Sequence, residues 1–242
     1  MNNPPPSRRR FLRQGLTLAG VSFAWGSLRS AFAANDAAAT AIPQAKVSNP
    51  DQALQELNAG NLRYVTGTHL HRDFGPERLA LVAEQRPFAV ILSCADSRVA
   101  PEFAFDQGRG RLFVVRVAGN FVDETGLASI EYGTSVLGAV LVMVLGHKQC
   151  GALKATVDVV TKGAQLPGHL PALTRYLEPA VKQAQGERPA DLVDAAIRQN
   201  ILLNVEQLRT SEPVLAGLVK GNKVRVVGAI YDLATGRVAV LP

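Results

Sequence analysis

An α/β domain on a mostly parallel sheet is the fold class this sequence predicts, and three observations predict it. Four short valine-rich runs, "FAVILS", "RLFVVRV", "VLVMVLG" and "VRVVGAI", have the length and near-continuous apolar character of strands buried on both faces. The segments between them, around residues 127–137, 152–160 and 191–208, are long and periodic enough for crossover helices. The 242-residue chain is of ordinary composition, 47% hydrophobic and 19% charged, and no repeat, heptad or low-complexity tract interrupts residues 50–242, so one domain there is the simplest division.

The elements follow in chain order. "NPDQALQELNAGNLRYVTG" reads as an amphipathic N-terminal helical arm, capped by Asn49, opened by Pro50, stopped at Gly67, with Leu54, Leu57 and Leu62 on its apolar face. "THLHRD" is a solvated loop after it; its His69 and His71 form an H-x-H pattern that could bind metal, but a loop is the simpler reading. The four apolar runs then make a parallel four-stranded sheet, flanked by helices. "DLVDAAIRQNILLNVEQL" is a helix packed on that sheet or on a partner subunit. "YDLATGRVAVLP" ends the chain as a strand turning through Thr235 and Gly236 into an antiparallel edge strand.

Charge belongs largely to the first 33 residues. Five of the 26 basic side chains (Arg8, Arg9, Arg10, Arg13 and Arg29) lie there with none of the 20 acidic ones, which leaves the remaining chain close to neutral. A nucleic-acid binder would keep a basic patch on its folded domain, so no nucleic-acid partner is expected. "SRRRFLRQG", an uncharged stretch over residues 16–28, and the Ala31–Phe32–Ala33 cleavage pattern make residues 1–33 an export signal. Its apolar run is too short for a comfortable membrane span, so the mature protein is expected outside the membrane. The twin arginines resemble the signal of the twin-arginine pathway, a route for cargo already folded, and imply that export machinery as a partner and a periplasmic or otherwise exported location. Residues 34–49 read as a flexible lead-in to the mature domain at 50–242.

In open α/β sheets function gathers beyond the carboxyl ends of the strands. Two runs deliver polar chemistry there: "LSCADSRVAP" carries Cys94, Asp96 and Arg98, and "GHKQCG" carries His147 and Cys150. If those strands are neighbours, two thiolates and one imidazole converge as the Cys2His set that holds a catalytic zinc with its fourth position open. Cys150 would also sit near a helix start, where N–H groups favour a thiolate. Two cysteines in an exported chain also suggest a disulfide. The nearby His147, the Asp-Ser-Arg directly after Cys94, and a signal suited to metal-loaded cargo turn the reading towards zinc.

These residues carry a strong resemblance. "CADSR" followed some fifty residues later by "GHKQCG" is similar to the paired signature of the beta class of carbonic anhydrases, and the similarity runs through "FDQGRGRLFVVRVAGN", "ASIEYGTSVLGAVLVMVLGHKQCGALKA" and "GAIYDLATGRV". The resemblance implies one zinc ion per subunit on Cys94, His147 and Cys150, an Asp96–Arg98 dyad beside it, and a homodimer or higher even-numbered assembly. It also implies a substrate pocket at the dimer interface lined by Gln85, Phe113 and Tyr132, with the Gly151 N–H facing the substrate.

The activity implied is reversible hydration of carbon dioxide to bicarbonate and a proton by attack of zinc-bound hydroxide. Zinc brings the pKa of its water to about 7 where three histidines hold it. Two thiolates donate more charge and make a weaker Lewis acid, for which Asp96 could compensate by accepting the hydroxide proton while Arg98 holds the carboxylate. Gln85 would donate to a substrate oxygen, and Phe113 and Tyr132 would form a dry wall. Some family members place the aspartate on the metal, with bicarbonate in a nearby pocket that features a tryptophan. Here that position is Ile91 and the only tryptophan is Trp25, so the open form is expected. The alternatives are a hydrolase of carbon disulfide or carbonyl sulfide on the same scaffold and a non-catalytic bicarbonate-binding protein. A dinucleotide-binding module is disfavoured because the glycines of "GRGRLF" precede a strand instead of opening a helix.

Overall fold

A computed structural model describes residues 46–242. The expected export signal at 1–33, with Trp25, and most of the expected lead-in, residues 34–45, lie outside the described residues.

Helix α1 (Pro50–Thr66) begins where its capping chemistry dictates: the Gln52 N–H donates to Asn49 Oδ1 at 2.9 Å, and Gly67 closes the helix at φ 70°. Its inward face is Ala53, Leu57, Gly60 and Asn61. Leu62, expected on that face, is 57% exposed, because five residues after Leu57 is a rotation of about 140°. A Cβ on Gly60 would run into the Phe105 carbonyl, so the missing side chain sets how closely α1 approaches the sheet. Asn61 ties three parts together, donating to Ala104 O (2.9 Å) and Gly236 O (2.8 Å) and accepting from the Val238 N–H (2.9 Å).

After a short helix α2 (Phe74–Ala80), the sheet is laid down by β1 (Ala89–Cys94), β2 (Leu112–Val117), β3 (Leu141–His147), β4 (Arg225–Tyr231) and β5 (Val238–Val240). The strand order is β2-β1-β3-β4-β5; the first four strands are parallel and β5 is antiparallel to β4, as expected. The crossovers are α3 (Pro101–Ala104) before β2, α4 (Glu124–Glu131) before β3, and α5 (Gly151–Lys162), α6 (Pro171–Gly186), α7 (Leu192–Thr210) and α8 (Leu215–Lys220) before β4.

Alternation along the strands makes two cores. Val90, Leu92, Val142, Val144 and Val226 face α5, α6 and α7, whereas Ile91, Leu141, Met143, Leu145 and Val227 pack with Leu57 of α1 and Phe105. Each large aliphatic side chain buried this way contributes roughly 1.5–3 kcal/mol. Three details depart from the sequence reading. The expected helix at 127–137 is α4 followed by a π-helical turn at Tyr132–Val136. Helix α6 was not expected; Pro179 in its interior and a start without a side-chain cap obscure an apolar face at Leu177, Ala180, Val181 and Ala184. Strand β2, expected to be buried on both faces, is half-buried, because it forms the edge of the sheet in a single chain.

Candidate metal centre

β1 and β3 are hydrogen-bonded parallel neighbours with Ser93 opposite Leu145, so their carboxyl ends lie side by side. β1 ends on Cys94 and β3 on His147; three residues later Cys150 occupies the position just before α5. The two sulfurs and an imidazole nitrogen lie within 4.8 Å of one another, and all three residues are buried. Among the described residues no other such cluster of His, Cys, Asp and Glu occurs. Both cysteines are free thiols.

The donor chemistry suits a zinc ion. His147 Nδ1 lies 2.9 Å from the Lys148 carbonyl, a contact in which the nitrogen donates its proton, so the lone pair falls on Nε2. That Nε2 is fully buried without a hydrogen-bond partner, an expensive arrangement unless a cation accepts its lone pair. The Cys150 thiol donates to Cys94 and, with the Gly119 N–H at 3.3 Å adding to it, holds the Cys94 thiol down at about 4 despite burial. The second proton is retained by Cys150, pushed up by its bond to Cys94, by burial and by the neighbouring negative charge; N–H groups of Leu153 and Ala152 at the start of α5 act against this. The pair shares one proton, and only a cation that replaces it would turn both sulfurs into thiolate ligands; zinc is the divalent ion that Cys2His suits.

Beside this trio stands Asp96. Arg98 grips it with its own N–H (3.0 Å) and Nε (2.9 Å) on Oδ1 and Nη2 on Oδ2 (2.7 Å), which holds the carboxyl well below the usual carboxylate range. Asp96 Oδ2 is 3.9 Å from His147 Nε2, so the carboxylate borders the metal position.

The remaining expected residues are less tightly assembled. Phe113 of β2 and Tyr132 of the π-helical turn form a tilted ring pair with centroids 6.0 Å apart, and Tyr132 is 47% exposed. Gly133 permits the contact, since a Cβ there would stand 3.2 Å from the Phe113 ring and 2.7 Å from Val90. Gly151 is the exposed first residue of α5. Gln85 is exposed on the segment before β1, and within one chain it lies on the surface. His69 is occupied structurally, edge-on to Tyr64 and 3.9 Å from the buried Asp106 carboxylate.

One contributor escaped the sequence reading. Arg116, on β2 opposite Ser93, donates to the carbonyls of Cys94 (3.0 Å), Asp96 (2.8 Å) and Val99 (2.8 Å), clamping the loop that carries the dyad. A lone arginine inside the apolar run "LFVVRV" was its only signal.

Fold and site together define an α/β metalloprotein with a Cys2His centre at the strand carboxyl ends. A family model described as carbonic anhydrase matches residues 89–238. A carbonic anhydrase of Mycolicibacterium smegmatis is 43% identical over 195 residues, covering 79% of this chain and 93% of that protein. Carbonic anhydrase 2 of Mycobacterium tuberculosis is 37% identical over 192 residues, covering 78% and 92%. The solved structure of the beta-carbonic anhydrase CcaA superposes with a TM-score of 0.63 at 25% identity, covering 78% of this chain and 95% of that one. The chain belongs to the beta-carbonic anhydrase family.

Proposed function

We propose that Cys94, His147 and Cys150 hold the zinc of a carbonic anhydrase, with Asp96 and Arg98 as the acceptor that organises the reacting water and substrate. The protein is a zinc-dependent enzyme that interconverts carbon dioxide and bicarbonate. The observation that carries the residue assignment is the buried trio with its orphaned His147 Nε2, bordered by a carboxylate with both oxygens engaged. Zinc bound there supplies an acidified water, and hence a nucleophile near neutral pH. The Arg98 hydrogen bonds hold the Asp96 carboxyl low and favour its ionised form, so it serves as an acceptor and would orient a donor beside the metal position. Its engagement by Arg98 supports the open arrangement. Arg116 keeps the loop from drifting. Phe113 and Tyr132 offer apolar walls that suit a small, uncharged substrate.

The assembly and location belong to the same proposal. The half-buried edge of β2, together with exposed Tyr132 and Val136, supports a homodimer in which a second copy covers this face and Gln85 reaches the partner's pocket. The twin arginines and Ala31–Phe32–Ala33 support export by the twin-arginine pathway to the periplasm. No helix among the described residues is long and apolar enough to cross a membrane.

The decisive experiment is stopped-flow hydration of carbon dioxide by the zinc-loaded protein against Cys150→Ser. Fast hydration that rises with pH in the parent, lost with the zinc in the variant, is the expected result. Hydration undiminished in Cys150→Ser would overturn the site, whereas zinc binding without hydration would redirect the reading to carbon disulfide or carbonyl sulfide.

A further inference from the structure

The loop after β2 carries the Gly119 N–H that donates to Cys94 Sγ at 3.3 Å, and this loop is tied to the helix that lies over it. Gly119 has φ 92° and Asn120 φ 44°, successive residues in the left-handed region, which glycine and asparagine both tolerate, and the direction in which this turn aims its N–H is fixed by groups from outside. Those groups come from α7. Asn200 Nδ2 donates to the Gly119 carbonyl at 2.8 Å, and Asn204 Oδ1 accepts from the Val122 N–H at 2.7 Å. The two asparagines are one helical turn apart and joined, with Asn204 Nδ2 donating to Asn200 O (2.7 Å) and Oδ1 (3.1 Å). Both are buried, at 2% and 5% exposure.

Packing brings α7 close enough for this. A Cβ on Gly146 would stand 2.6 Å from Ile201 Cδ1, and one on Gly228 2.6 Å from Ile201 Cγ2, so two glycines in adjacent strands let Ile201 sink onto the sheet between the asparagines. Gly119 is confined from the other side, where a Cβ would meet Leu177 Cδ1 at 2.8 Å and Ala152 Cβ at 3.4 Å.

We propose that Asn200 and Asn204 are positioning residues for the metal centre: they fix the Gly119 N–H on the Cys94 sulfur and thereby set how that thiolate donates to zinc. This rests on the zinc assignment above. An N–H on a thiolate lowers the energy of the sulfur lone pairs and fixes their direction; its loss leaves a more electron-rich and less well-directed ligand.

The test uses Asn200→Ala and Asn204→Asp, which keeps an acceptor for Val122 but cannot donate to Asn200. Leu208→Ala serves as a control, a buried α7 position two turns beyond Asn200. Zinc transfer to excess chelator and the thiolate-to-cobalt absorption band of the cobalt-substituted protein are measured alongside melting temperature. The asparagine variants are expected to release zinc about ten-fold faster or more and to move the band to longer wavelength. Leu208→Ala should lower the melting temperature with neither effect. Should Asn200→Ala fail to fold, Asn204→Asp carries the comparison. Parent-like release and band in a folded asparagine variant, or the same changes in Leu208→Ala, would overturn the inference while leaving the zinc site intact. A parent protein without the thiolate–cobalt band would overturn both.

Discussion

Asp96 receives three hydrogen bonds from a single residue, Arg98, two on Oδ1 and one on Oδ2; an amide could keep the pair on its oxygen, but its nitrogen cannot accept the third. Asp96→Asn keeps size and removes the charge. Because Asp96 is not among the three ligands, the variant should retain zinc on metal analysis while kcat falls about a hundred-fold, the scale of a misoriented reacting group. An unchanged kcat would reduce the dyad to a structural ion pair. The residues proposed to carry chemistry were visible from spacing: Cys94, Asp96 and Arg98 stand at alternate positions after an apolar run, and His147 and Cys150 share a short motif. Arg116 and Gly119 were not. They act through a side chain reaching backbone carbonyls and through a backbone N–H, respectively, and neither leaves a distinctive pattern in sequence.

At the scale of elements, Asp232 shows how local chemistry holds the end of the sheet. It accepts from Lys148 Nζ (2.9 Å), just after β3, and from the Ala234 N–H (2.8 Å) in the turn between β4 and β5. The Lys148 bond, followed by the turn N–H groups, lowers its pKa. A depressed carboxyl contributes stability that is present above the unfolded value of about 3.9 and is lost as pH falls through the folded value. Asp232→Asn should therefore unfold at lower urea than the parent at neutral pH, with the gap closing in acid; a gap that persists at the lowest pH would show that hydrogen-bond geometry alone is responsible. Elements with start and stop signals, such as α1 and the β4–β5 turn, were legible in advance. Helix α6 and the π-helical turn were not, because an interior proline and a turn of unusual pitch are tolerated only once neighbouring elements pack against them.

For the whole molecule, the half-exposed β2 edge is the face proposed to meet a second copy. Sedimentation should give a dimer or a higher even-numbered species, and Val136→Lys, at a position 65% exposed in one chain, should shift the population towards monomer. A monomeric parent at micromolar concentration would refute this assembly. Export is tested separately: replacing Arg8 and Arg9 by lysine should leave the protein in the cytoplasm of a producing cell, and periplasmic protein from that variant would rule out the twin-arginine route.

Sequence by itself determined the fold class, which strand ends carry the polar residues, and the candidate set Cys94, His147 and Cys150, because apolar periodicity and ligand spacing are local properties of the chain. Only the tertiary structure decided that β1 and β3 are neighbours, that His147 Nε2 is left without a partner, and that α7 reaches over the sheet to the loop beside Cys94. Those facts depend on contacts between residues far apart in the chain, such as Gly119 and Asn200, whose juxtaposition follows from glycines at 146 and 228 admitting Ile201. Packing at that distance is a cooperative outcome of all the elements, and no stretch of sequence states it alone.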